Sequence, residues 1–160
     1  MIKVREESIL PEPSDEIIIK TEKFYRIQFP ENYVKFLKGN NGAIPIDNTF
    51  EYNSHVYLIE RFLCLLANDV RDEMDSVSWS EIRVIITQLD ERLVEDEDML
   101  GMNIIPIAVI FAGDYVCLDF RNNPDEPEVC VWYHEQSGEF EPITKKIADN
   151  FSEFLSMLKE

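Results

Sequence analysis

The stretch that most restricts the fold is Ile104-Ile105-Pro106-Ile107-Ala108-Val109-Ile110-Phe111, because it is apolar at every position. Successive side chains of a strand point to opposite faces, so this run reads as a strand buried on both of them. Ala112-Gly113-Asp114 makes a turn, and the pattern from Tyr115 to Arg121 then alternates. Val116, Leu118 and Phe120 point one way; Tyr115, Cys117, Asp119 and Arg121 point the other. Asn122-Asn123-Pro124-Asp125-Glu126-Pro127 is a loop, since two prolines and two asparagines do not sustain a strand. After it Val129, Val131 and Tyr133 alternate with Cys130, Trp132 and His134. A further short strand is expected after the turn at Ser137-Gly138.

The flanking sequence has a helical period. Ser14 is placed to cap a first helix, with Asp15 and Glu16 in the first turn, where the helix dipole favours negative charge. Ile17, Thr21 and Phe24 recur on one face of that helix. Pro30 suits the first turn of a second helix, whose stripe is Tyr33, Phe36 and Leu37 and which stops at Gly39-Asn40-Asn41-Gly42. Short extended pieces follow near Phe50 and from His55 to Phe62, then a helical segment over Asn68 to Met74. Ser78-Trp79-Ser80-Glu81 has the form of a capping box opening a helix that carries Ile82, Ile85, Ile86, Leu89 and Leu93. The last helix is expected to start near Thr144 and to bury Ile147, Ala148, Phe151, Phe154, Leu155 and Leu158.

This order, helices and then a meander of strands and then a helix, predicts an α+β fold. The expected architecture is an antiparallel sheet with N-terminal helices, a middle helix and a C-terminal helix packed on it. At 160 residues and 45% apolar content, residues 1–160 read as a single domain able to bury roughly 70% of its unfolded surface without staples.

Charge and cysteine usage narrow the function. The 32 acidic and 15 basic residues give a net charge of −17, which phosphate backbones and anionic membranes repel and a basic protein partner attracts. Cys64, Cys117 and Cys130 are too few and too odd for a disulfide framework, and no CxxC occurs. The start Met1-Ile2-Lys3-Val4-Arg5-Glu6-Glu7 has no apolar leader, so a cytoplasmic location is expected.

Three segments, taken in order, resemble the SUKH superfamily, also called the Smi/Knr family after yeast cell-wall synthesis regulators. The first is Phe29-Pro30-Glu31-Asn32-Tyr33-Val34-Lys35-Phe36-Leu37 with Asn41-Gly42. The second is Ile105-Pro106-Ile107-Ala108 with Gly113-Asp114 and Cys117-Leu118-Asp119. The third is Ile147-Ala148-Asp149-Asn150-Phe151-Ser152-Glu153-Phe154-Leu155. Phe29 stands where the family usually has Leu, and Asn150 where it usually has Ser. Residues 53–102 carry no motif of the family. The resemblance implies a Smi/Knr-like α+β fold and no enzymatic activity; no cofactor is expected either, since the five glycines form no phosphate-loop or dinucleotide pattern. The resemblance also implies service as an immunity protein that binds a toxin domain, often a nuclease, or, as for the yeast relatives, as a regulatory scaffold. A nuclease tends to be basic where it holds nucleic acid, so an acidic binder can occlude it.

The residues themselves leave two candidate surfaces. If the two alternating strands pair as a hairpin, Tyr115, Asp119, Arg121, Trp132 and His134 share a face with the aromatic and charged character of an interaction site. Exposed, that face could also join two copies of the chain. The other reading is that a helix covers it, with Asp119 and Arg121 paired inside. The second surface is the acidic loop Glu95-Asp96-Glu97-Asp98, with Asp125, Glu126 and Glu128, to be weighed against a merely solvated charge run. Catalytic and metal patterns are weak. Cys130 and His134 lie four residues apart, about 13 Å along a strand, and a Cys117–His134 pair needs a particular register. His55 and His134 have no metal-ligand spacing, and the acidic loop lacks the glycine and terminal glutamate of a calcium loop.

Overall fold

A computed structural model describes residues 2–160; Met1, the first residue of the stretch read against a leader, lies outside the described residues. The fold is α+β as expected. Helices α1 (Asp15–Tyr25) and α2 (Glu31–Gly39) come first, followed by strands β1 (Thr49–Tyr52) and β2 (His55–Phe62). Three short helices form the middle: α3 (Asn68–Glu73), α4 (Asp75–Ser78) and α5 (Ile82–Leu89). Then come β3 (Ile104–Ile110), β4 (Tyr115–Asp119), β5 (Glu128–Trp132), β6 (Thr144–Ala148) and α6 (Phe151–Met157). All six strands form one antiparallel sheet in chain order, β1 to β6. Among the described residues no helix is long and apolar enough to cross a membrane.

Strand register sorts the side chains into two faces. Val116 pairs with Val131 and Leu118 with Val129, while Tyr115 pairs with Trp132, Cys117 with Cys130 and Asp119 with Glu128. Directly paired residues share a face, so the valine face and the Trp132 face are opposite. Every residue of β3 is buried, which fits a strand covered on both sides. On the valine face α2 and α6 build an aromatic layer: Phe36 lies 4.8 Å from Phe62 and 5.3 Å from Phe151, and Phe50 lies 5.4 Å from Phe154. Edge-to-face pairs of this kind add about 1 kcal/mol each beyond their buried area. On the other face α5 packs against β3 and delivers a 3-10 turn, Asp90–Leu93, onto Trp132.

The segments that carry the family resemblance are fold-makers. Tyr33, Phe36 and Leu37 are buried. Asn41, wholly buried, donates to Pro11 O and Leu65 O and accepts from Leu65 N, tying three segments together. Gly42 has φ +67°, and a Cβ there would lie 2.7 Å from Leu10 Cδ1, so both its backbone and its packing demand glycine. Ser14 caps α1 as expected, accepting from Ile17 N.

Several expectations are corrected. The C-terminal helix starts at Phe151, not near Thr144, and Asn150 caps it by accepting from Glu153 N. Thr144–Ala148 instead pairs with β5, satisfying donors and acceptors that an unpaired strand edge would leave open. Ser78 ends α4, and Glu81 is the cap of α5, its carboxylate accepting from Arg83 N. The apolar period through Leu93 is not one helix: Asp90, at φ +43°, breaks it and Leu93 belongs to the 3-10 turn. Pro30 is the residue before α2, not within its first turn. On α1 the buried stripe is Ile17, Ile18, Thr21 and Tyr25. Phe24 falls at the edge of that stripe and is 77% exposed.

Candidate functional site

The hairpin brings Tyr115, Asp119, Trp132 and His134 to one face with Arg121 at its end, and that face is covered at Trp132 and Asp119 and open at His134. Trp132 is fully buried; its indole Nε1 donates to Arg92 O at 3.0 Å, and the Arg92 guanidinium lies 5.2 Å from the ring centroid. Asp119 is buried, and its carboxylate accepts from Arg121 N, Nε and Nη2 at 2.8 to 3.1 Å. Arg121 goes on to Thr144 Oγ1 at 2.8 Å and to Glu95 at 3.4 Å. Hydrogen bonding to Asp119 is the main reason the guanidinium holds its proton even more firmly than usual. Trp132 and Asp119 are therefore withdrawn from direct contact with a partner, because Arg92 and the acidic loop fold over them. The cover is a 3-10 turn and a loop, where a helix was the sequence-based alternative. Tyr115 is half-buried, 6.1 Å from Trp132, and burial raises its hydroxyl pKa, with smaller contributions from Cys117 and Glu60. His134 is exposed; its N–H donates to Asp114 Oδ1, and its carbonyl accepts from Arg92 Nη2.

The thiols form no nucleophilic site. Register sets Cys117 opposite Cys130, while His134 lies two residues beyond β5. Both thiols are buried, and burial, chiefly, pushes the Cys117 thiol well above its ordinary pKa. Such a thiol carries little thiolate and behaves as a small apolar group.

The acidic loop is divided in role. Glu95 pairs with Arg121, and Asp96 accepts from Asp98 N to shape the turn. Glu97 adds to a second group of carboxylates around Glu91. Glu91 is raised above the usual glutamate range by the nearby Glu139 first, then by slight burial, Asp90, a hydrogen bond with Glu139, and Glu97. Among the described residues no ion pair reaches Asp90, Glu91, Glu97 or Glu139. Arg92, in the same turn as Asp90 and Glu91, is engaged instead with the Trp132 ring and the carbonyls of His134 and Ser137. Elsewhere, Glu126 accepts from Asn150 Nδ2, and Glu128 accepts from Lys146 and Asn122, contacts that hold Glu128 below the usual range.

Two features escaped the sequence reading. One is Glu81, a wholly buried carboxylate held by Arg83 and, at 3.7 Å, by Arg71. The other is a cleft between α1 and α5 of about 320 Å³, lined by Phe24, Tyr25, Ile86, Thr87, Asp90 and Met102, and closed at one side by Gly101. A neighbouring hollow of about 290 Å³ extends it along α1 past Lys20 and Arg83. Phe24, which lines both, is 77% exposed, and Leu100, the chain neighbour of Gly101, is 70% exposed. The sequence signal was Met99-Leu100-Gly101: two apolar residues after four acids, then a glycine that here has φ +90°.

The family described as SUKH_6: SMI1-KNR4 cell-wall matches residues 15–155 of the chain. No curated protein and no solved structure gives a significant match.

Proposed function

This chain belongs to the SMI1-KNR4 family, and from that premise we propose that it is a non-catalytic protein-binding domain of the immunity type. Its partner is a basic toxin domain, of nuclease character, which it neutralises by covering the surface that holds nucleic acid. The observation that carries this reading is the family match over residues 15–155. The net charge of −17 supports it, because an excess of acid steers a basic partner and repels nucleic acid itself. Acid pairs at the rim of such an interface speed association, and buried aromatic or aliphatic anchors slow dissociation.

The test is calorimetric titration of the purified protein with the toxin domain encoded by the adjacent gene, at several salt concentrations, alongside an assay of the toxin. The expected result is tight binding that weakens with salt, with loss of toxin activity. Absence of binding at low salt refutes the immunity role and leaves a regulatory scaffold, with partners of ordinary charge, as the alternative for this fold.

A further inference from the structure

We infer that the cleft between α1 and α5 is the docking site, and that its occupant is a segment of a basic protein. That segment lays an apolar side chain against Phe24, beside the Leu100–Gly101 turn, and a lysine or arginine against Asp90 and its neighbour Glu91. The inference deepens the immunity reading by naming the surface, and it rests on that reading for the identity of the natural partner.

Two independent observations meet here. The first is apolar exposure. Phe24 and Leu100 are among the most exposed large apolar side chains described; Phe24 lines the cleft with Tyr25, Ile86 and Met102, and Leu100 is the chain neighbour of Gly101, which lines it too. A concave apolar site with exposed anchors at its rim is the usual form of an interface centre. The second is charge. Asp90 lines one end of the cleft, and Glu91, next to it in the chain, is raised above the usual glutamate range chiefly by Glu139, with Asp90 and Glu97 adding to the repulsion. Arg92, the cation nearest in sequence, is turned inward onto Trp132 and the carbonyls of His134 and Ser137. The protein thus holds like charges together with no counter-ion of its own, and a cation from a partner removes that repulsion. The far end of the cleft has the opposite character: Lys20 and Arg83 line it, each already matched, by Glu16 and Glu81. The cationic end of the bound segment therefore points toward Asp90.

The cleft is also built to keep its shape. Met102 N donates to Tyr25 O at 2.8 Å, and Gly101 sits so close to α1 that a Cβ would meet Tyr25 O at 2.4 Å. A separate exposed apolar pair, Val56 and Leu58 on β2, lies on a strip of sheet beside Glu51 and Glu60 and lines neither hollow; it serves as the control surface.

Two measurements test the proposal. In the first, the 15N-labelled protein is titrated with a short synthetic peptide of alternating lysine and leucine, followed by amide shifts. The expected result is movement of amides around Phe24, Thr87, Asp90 and Leu100, abolished in Leu100→Glu and in the double variant Asp90→Lys, Glu91→Lys. Shifts confined to β2, or none at millimolar peptide, overturn the docking site. In the second, the toxin domain of the adjacent gene is titrated with Phe24→Glu, Leu100→Glu and Val56→Glu. All three sites are exposed, and circular dichroism confirms folding. At least a tenfold loss of affinity is expected for the first two and none for Val56→Glu. Wild-type affinity for both cleft variants refutes the cleft while leaving the immunity role intact. A toxin that fails to bind, with a peptide that does occupy the cleft, removes the immunity role and leaves the docking site standing.

Discussion

Replacing Gly101 by alanine tests whether the loop that closes the cleft is fixed by backbone geometry. Gly101 has φ +90°, and an alanine Cβ would stand 2.4 Å from Tyr25 O and 3.0 Å from Arg26 Cβ. The chain has two ways to respond. It can hold the loop in place and bear a strained conformation, which costs about 1–3 kcal/mol, plus the displacement of α1's last turn. Or it can release the loop, losing the Met102 N to Tyr25 O bond, about 1 kcal/mol, and the burial of Met102, which is 8% exposed, about 1.5–3 kcal/mol. Either route gives a loss of about 2–4 kcal/mol, or roughly 5–15 °C in Tm for a domain of this size. Gly113→Ala is the matched comparison: its φ is +82°, but a Cβ there meets nothing within 4 Å, so only the strain of about 1–3 kcal/mol applies. Urea unfolding of both variants, with hydrogen exchange at the Met102 amide, separates the contributions. A Gly101→Ala loss below about 0.5 kcal/mol with Met102 still protected would show that the loop is not held as described.

Other outcomes follow from single residues. Glu81→Ala removes a buried carboxylate from Arg83 and Arg71, whose side chains are 26% and 30% exposed, so the loss in urea unfolding is about 2–3 kcal/mol, less than for a fully enclosed pair. Glu81→Gln, which keeps an acceptor for Arg83 N, loses less. The Tyr33 hydroxyl is buried without a protein hydrogen-bond partner, so Tyr33→Phe is expected to be neutral or stabilising by about 1 kcal/mol; a comparable loss refutes this. Glu91 is raised chiefly by Glu139. Its folded state therefore binds a proton more readily than its unfolded state, and stability declines as pH rises through the folded pKa. Glu139→Gln should lower the Glu91 pKa in a carboxyl NMR titration. It should also stabilise the protein at neutral pH and have no effect well below the ordinary glutamate range; an unchanged titration refutes the coupling.

Much of the fold was legible because it depends on local pattern. Ser14, the stripe of Tyr33, Phe36 and Leu37, the all-apolar β3 and the alternation of β4 and β5 each signal their element through period and capping. The family resemblance was legible for a related reason: Tyr33, Asn41, Gly42, Ala108, Asp119, Phe151 and Phe154 are all buried, and burial constrains residue type. Where local signals competed, tertiary pairing decided. Thr144–Ala148 carries residues that suit a helix, yet it completes the sheet because β5, paired with β4 on one side, otherwise has an open edge on the other.

The candidate site was less legible. Alternation correctly grouped Tyr115, Asp119, Trp132 and His134, but period 2 assigns a face without saying what covers it. That Arg92 and Glu95, more than 20 residues away in sequence, close over Trp132 and Arg121 is a long-range fact. The same holds for the cleft, which exists only because α1 and the loop 94–102 meet at Tyr25 and Gly101. Sequence alone determined strands β3 to β5, most helices, the sign and size of the charge and the family, since each follows from composition or local period. Only the tertiary structure decided which carboxylates went without a counter-ion and which apolar side chains stayed outside. Both depend on distances between segments that local pattern does not encode.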